Sequence, residues 1–278
     1  MQQLTTIARP LDPSYPTNNA ITILTLLVFA GGLGLSLYLG ADFAGGILSG
    51  TSWALAVFLA WAIARELDPD SEYAAFLPPL ICICLFAFIP QPGLLVALFL
   101  LLLLRIINRT TGQPAGVLDS AALLLLGGWL FQGGFWVAGP AAVLAFLIDW
   151  RSKDPNPRQC WFAAIGFSGM IGLLLYGDLP HMILPGSSPL SWLLLLAPLL
   201  FLSVITRPGQ VRSPGDKTGD PLDKGRVQAA GLLCLSLLIL AFTTGGSGIM
   251  AMLLVPWACL VGLGVYGMYI RLKGTTLF

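Results

Sequence analysis

Ala64-Arg65-Glu66-Leu67-Asp68-Pro69-Asp70-Ser71-Glu72 is the most charged stretch of a chain otherwise poor in charge, and it separates two long apolar runs, 43–64 and 73–89. A short charged loop between apolar runs of this kind reads as the connection between two membrane spans. Because each span reverses the side of the membrane, every other charged segment tests the count of spans on either side of this loop.

Working outward, apolar runs occupy 20–39, 43–64, 73–89, 93–107, 117–131, 133–150, 161–176, 189–206, 227–243 and 248–270, which makes ten. Several are shorter than the roughly 20 residues that a helix needs to cross the hydrocarbon core. Two hairpins therefore need their own signals. Pro90-Gln91-Pro92-Gly93 breaks a run too long for one helix, and Gln132-Gly133-Gly134 does the same with less force. Runs five and six read equally as two crossings or as a re-entrant pair.

The chain has 278 residues, 56% hydrophobic and 10% charged, with a mean hydropathy of +0.85. Soluble domains carry about a quarter charged residues. The fold class is therefore all-α, a polytopic transmembrane helix bundle of about ten spans forming a single integral membrane domain over 1–278. The first nineteen residues have one basic residue, Arg9, and no apolar core, so the first span reads as an uncleaved anchor.

With ten spans, all 14 Lys and Arg fall on one side: Arg9, Arg65, Arg105, Arg109, Arg151, Lys153, Arg158, Arg207, Arg212, Lys217, Lys224, Arg226, Arg271 and Lys273. The positive-inside rule makes that side the cytoplasm. It would hold both termini (1–19 and 271–278) and the linker 207–226. Asp42, Asp178 and His181 remain on the opposite face. The linker's Pro and Gly content and alternating charges read as a mobile connector.

Net charge +1 offers no face for nucleic acid. The expected partners are membrane lipids and other helices, as an oligomer or a membrane complex. Cys82, Cys84, Cys160, Cys234 and Cys259 include no C-x-x-C pair, and His181 is the sole histidine, so haem and zinc sites lack ligands. No Asp, Glu, Lys, Arg or His falls in the middle third of a span, which disfavours a carboxylate-coupled carrier.

An internal echo links Ala8-Arg9-Pro10-Leu11-Asp12-Pro13 with Ala64-Arg65-Glu66-Leu67-Asp68-Pro69, and the Arg-x-x-Asp-Pro frame returns at Arg151-Ser152-Lys153-Asp154-Pro155. Asn108-Arg109-Thr110-Thr111-Gly112 similarly corresponds to Thr206-Arg207-Pro208-Gly209. This points to tandem repeats of about four helices.

Two readings compete for the acidic residues. In one, Glu66, Asp68, Asp70, Asp149 and Asp154 hold a divalent cation at the cytoplasmic rim, with Arg65, Arg109 and Arg151 as anion contacts for a diphosphate. The acidic clusters after the second and sixth runs resemble the layout of UbiA-type intramembrane prenyltransferases. That family's D-x-x-x-D spacing is replaced here by Glu66-x-Asp68-x-Asp70 and by Asp149 and Asp154. The resemblance implies an enzyme acting on a lipid or prenyl phosphate with Mg²⁺, the one cofactor under consideration. In the other reading, which explains more residues, Asp before Pro is a helix start: Asp12, Asp68, Asp154 and Asp220 cap free amides and leave no metal site.

The glycines Gly46 and Gly50 in G-x-x-x-G spacing signal close helix contact. The favoured function is a small carrier or facilitator of an uncharged, amphipathic or lipid-like solute; ten spans with cytoplasmic termini resemble the drug and metabolite transporter class. The alternatives are the rim enzyme and a non-catalytic assembly or anchoring subunit. A polar-lined cavity would mark the carrier, converging carboxylates the enzyme, and an exposed glycine stripe the subunit.

Overall fold

The computed structural model describes residues 5–89, 91–176, 189–207, 209–245 and 249–274. Pro90, Asp178, His181, Pro208 and the last residues of the tail, all named above, lie outside them. Among the described residues the chain is helical without a strand; its only extended pairing is an isolated bridge between Pro214 and Pro221.

Ten helical segments occupy the ten apolar runs. They are α1 (Pro16–Tyr38), α2 (Phe43–Leu67), the 3₁₀ turn Ala74–Phe76 leading into α3 (Leu77–Leu85), α4 (Leu94–Asn108) and α5 (Val117–Gln132). After these come α6 (Ala138–Arg151), α7 (Arg158–Tyr176), then α8 (Pro189–Leu196) running through the 3₁₀ turn Ala197–Phe201 into α9 (Leu202–Ile205), α10 (Lys224–Gly245) and α11 (Met250–Leu272). Five, namely α1, α2, α7, α10 and α11, are long and apolar enough to cross a membrane. The others are shorter: the 16 residues of α5 rise about 24 Å, against a hydrocarbon thickness of about 30 Å.

The chain divides into two compact units. One comprises Pro10–Leu98, Pro198–Val204 and Met250–Phe278. Here α1 lies on α2 by glycine contact: a Cβ on Gly50 would come within 2.7 Å of the Phe29 carbonyl oxygen, and one on Gly32 within 2.9 Å of the Gly50 Cα. The G-x-x-x-G of α2 thus lets two backbones meet. Trp53 stacks on Phe86 with centroids 5.0 Å apart, and the Cys259 thiol donates to the Ala60 carbonyl at 3.3 Å, joining α11 to α2. Pro256 lies inside α11. One turn earlier, the Gly93 amide donates to the Ala251 carbonyl at 2.8 Å. A Cβ on Gly93 would meet the Met252 Cα at 2.5 Å, so only glycine permits that approach.

The other unit comprises Met1–Arg9, Phe99–Ala197 and Ile205–Ile249. In it α5, α6 and α7 pack on one another and α10 packs on α6. The start of α5 is fixed by Asp119, whose carboxylate accepts from the Gly116 amide at 3.1 Å. The same carboxylate accepts from the Thr6 amide at 2.9 Å and hydroxyl at 2.8 Å, and from the Thr5 hydroxyl. Four donors from two segments thereby strap residues 5–9 onto the head of α5.

The helix-start role expected of the Asp-Pro pairs is corrected. Asp68 is the C-terminal cap residue of α2, followed by turns before the next helix begins. Asp154 has φ 55, in the left-handed region, four residues before α7. Asp12 does accept from the Ser14 amide at 2.9 Å, which holds its carboxyl below the usual carboxylate range, but it forms the turn before α1 and not the cap. The side chains that accept from helix-start amides are Asp42 on Gly45 (2.9 Å) and Asp223 on Arg226 (2.9 Å), together with Asp119. None of these precedes proline; Asp42 and Asp223 each accept from the amide three residues ahead, and Asp119 reaches three residues back to Gly116.

The linker is also corrected. It folds back on the turn after α4: the Asp216 amide donates to the Thr110 carbonyl and the Lys217 amide to the Thr111 carbonyl, both at 3.1 Å. Within it Gly215 donates to Asp220 at 2.8 Å and Leu222 to Ser213 at 3.1 Å. Proline and glycine here shape a loop docked by these backbone bonds.

Candidate functional site

Two of the chemistry candidates, Asp149 and Arg109, meet a third charge, Arg226, in the unit built on α4 to α7 and α10. Asp149, near the end of α6, is fully buried, and Arg226, in the first turn of α10, is 4% exposed. The Arg226 Nη1 donates to Asp149 Oδ1 at 2.6 Å and to the Ile107 carbonyl at 3.0 Å; its Nη2 donates to the Lys153 carbonyl at 2.7 Å. Arg109 adds a second guanidinium, its Nε donating to the same Oδ1 at 2.8 Å. Arg109 reaches this position from a left-handed backbone, φ 52, just past the end of α4, a conformation that costs a non-glycine residue energy.

This cluster is an internal tie and not an open site. Arg109 Nη2 and Asp149 Oδ2 are buried without a partner, but they are the remaining halves of the two-pronged guanidinium–carboxylate fork that the Nε–Oδ1 bond begins.

The anion-contact candidates have these surroundings. Arg109 is engaged by Asp149; Arg65, in the other unit, lies 3.2 Å from Glu72; Arg151 is exposed with its guanidinium 4.6 Å over its neighbour Trp150. The metal candidates differ in burial. Glu66 and Asp68 are buried, Asp70 and Asp154 exposed, and Asp149 neutralised by arginines. Among the described residues no three His, Cys, Asp or Glu stand together as metal ligands.

A different feature, on the same unit, was missed as a site by the sequence. A groove of about 170 Å³ runs between α5, α6 and α7, lined by Leu124, Gly127, Gly128, Phe131, Gly139, Ala142, Ile165, Gly166, Gly169, Met170 and Leu173. No lining residue carries a polar side chain. Its glycines fall into two groups. Gly127, Gly139 and Gly166 are needed by internal packing, since a Cβ would meet Phe99 at 3.1 Å, Phe131 at 2.7 Å and Leu124 at 3.1 Å respectively. Gly128 and Gly169 have nothing within 4 Å of that position. Glycine inside a helix costs about 1 kcal/mol relative to alanine, and here no contact within the chain offsets it. The signal was present in sequence as Gly127-Gly128 and Gly166-x-x-Gly169, but only the packing separates glycines that serve the fold from those that face outward.

Together these features define a class: an all-helical protein with membrane-length apolar helices, an ionic tie among its loop ends and an apolar groove on one flank. Beyond that class, comparison finds no matching family model, no matching curated protein and no matching solved structure.

Proposed function

We propose that the protein is a non-catalytic membrane assembly or anchoring subunit that receives an apolar transmembrane helix of another subunit in the groove of α5, α6 and α7. The observation that carries this is the open space over Gly128 and Gly169. Helices associate in lipid where small residues let backbones approach, whereas an acyl chain or apolar solute gains as much from leucine as from glycine. The rim-enzyme reading draws less support, because Asp149 is tied to two arginines and no three His, Cys, Asp or Glu stand together as metal ligands among the described residues. The carrier of a lipid-like solute keeps only the apolar lining in its favour, since the groove's volume of about 170 Å³ falls short of the roughly 300 Å³ at which ligand pockets begin.

The topology that goes with this reading has ten crossings, both termini in the cytoplasm and the fifth and sixth helices as a hairpin. It draws support from the way four basic segments of one unit bond together. Thr6 donates to the Pro114 carbonyl at 3.0 Å, Arg9 pairs with Asp216 at 2.6 Å, Asn156 donates to the Ala115 carbonyl at 3.2 Å, and Arg226 reaches Lys153. One-sided positive charge requires loops that share one end.

Photo-cross-linking residues placed at Ile165 and Leu173 in native membranes test the function. A protein adduct that disappears in Gly128→Ile and Gly169→Ile, with both variants still stably inserted, is the expected result. Adducts to lipid alone would remove the docking reading and return the carrier to first place.

A further inference from the structure

Ion pairing within the α4–α7 and α10 unit is selective. Arg9, Arg109 and Arg226 each hold a carboxylate. Arg151, Lys153 and Arg158, which occupy the turn from α6 to α7, are all exposed and pair with no carboxylate among the described residues. One acid, Asp154, lies among them and is exposed too, so the turn keeps a net charge of +2. Two tryptophans bracket it: Trp150, under the Arg151 guanidinium at 4.6 Å, and Trp161, which is 74% exposed one turn into α7.

The backbone that carries these cations is held from behind. Arg226 Nη2 donates to the Lys153 carbonyl at 2.7 Å. Asn156 Nδ2 donates to the Ala115 carbonyl at 3.2 Å, and Gln159 Nε2 to the Ser120 hydroxyl at 3.1 Å. Asn156 and Gln159 are buried. The turn is therefore fixed on its inner side while its three cations point outward, at the junction between a lipid-length apolar helix and the loops.

We propose that the α6–α7 turn is a binding surface for the headgroup of an anionic phospholipid, with Arg151, Lys153 and Arg158 contacting the phosphate and Trp161 seated at the level of the headgroups. Charge complementarity selects this occupant. Exposed tryptophan at a helix end marks the interfacial layer, and cations held at that depth favour lipids that carry net negative charge. A fixed turn also pays less ordering entropy on binding than a floppy basic tail does. This inference is independent of the groove's occupant.

The test is native mass spectrometry of the full-length, delipidated protein titrated with phosphatidylglycerol and with phosphatidylcholine of the same acyl chains. The wild type should prefer phosphatidylglycerol. In Arg151→Gln/Lys153→Gln/Arg158→Gln that preference should fall by about fivefold per cation removed, while Lys273→Gln, in the other unit, retains it. Trp161→Ala should weaken both lipids alike. The replaced side chains are exposed, and Arg151 alone stacks, on its neighbour Trp150, so a monodisperse elution profile matching the wild type serves as the folding control. Equal binding of both lipids by the wild type, or an undiminished preference in the triple variant, overturns the proposal. Displacement of phosphatidylglycerol by an equal concentration of inorganic phosphate would show that the turn reads a free anion and not a lipid.

Discussion

Replacing Asp149 by Asn changes the buried cluster from one carboxylate between two guanidiniums to two guanidiniums with no counter-charge. Arginine cannot shed its proton to escape, and Arg226 is 4% exposed and the Arg109 side chain 12%. Removing the partner of a buried ion pair costs about 3 to 5 kcal/mol, and the upper half of that range applies because two cations lose the same anion. Arg226→Gln should cost less, about 2 to 3 kcal/mol: it forfeits charge-assisted bonds to Asp149 and to the Ile107 and Lys153 carbonyls, yet Arg109 still neutralises Asp149. Arg109→Gln should cost least, about 1 to 2 kcal/mol, since only its Nε is engaged and its Nη2 has no partner. Equilibrium unfolding in mixed detergent micelles, followed by tryptophan fluorescence, measures all three. The reasoning fails if Asp149→Asn stays within about 1 kcal/mol of wild type, or if either arginine variant is the more damaging. The triple variant Asp149→Leu/Arg109→Met/Arg226→Met should cost less than the sum of its parts, because a neutral filling strands no charge.

Gly50→Ala should separate α1 from α2 and destabilise by about 1 to 3 kcal/mol, since its Cβ would press on backbone at Phe29 and Leu33, whereas Gly128→Ala should stabilise by up to about 1 kcal/mol in detergent; thermal melts of the two compare them. Asp119→Ala should lower stability by about 0.5 to 2 kcal/mol and release residues 5–9, which hydrogen exchange reports as faster exchange at the Thr6 amide. Gly112 has φ 80 and lies where a Cβ would meet the Thr218 Oγ1 at 2.2 Å. Gly112→Val should therefore undock the linker and speed tryptic cleavage at Arg212 and Lys217; an unchanged digest would show that the linker is not held there. Single cysteines at residues 70 and 215, in a chain freed of its native cysteines, should be labelled from the same side of the membrane, and labelling from opposite sides would break the ten-span count.

The apolar runs were readable because proline, glycine and charge interrupt them where helices end. The run predicted at 93–107 is α4 at Leu94–Asn108, and 117–131 is α5 at Val117–Gln132. The larger departure is α6, which starts at Ala138 and not near 133, because Gly134 turns left-handed with φ 92 and the Phe135 amide folds back to the Leu130 carbonyl at 2.8 Å. The caps were misassigned because Asp-Pro fits a helix start by local chemistry alone, while the chain's path after Asp68 is set by tertiary packing. The ionic tie was invisible for a related reason. Arg226 stands 77 residues from Asp149 and one residue outside the predicted span 227–243, so by sequence it counted as one more loop cation. Nothing local distinguishes a cation that will be buried from one that will face a headgroup; only the meeting of α6 and α10 does.

The backbone bond from Gly93 to Ala251 bears on how the protein is made. The turn before α4 leaves the ribosome more than a hundred residues ahead of its acceptor on α11, and during that interval the Gly93 amide sits at the edge of an apolar hairpin with its final partner unsynthesised. The unit that contains α1 and α2 is therefore closed by α11, the last of the described helices in chain order. The other unit has all its segments once residue 249 is made. Chains stopped short of α11 would present the quality-control machinery with one finished unit and one still waiting for its final helix.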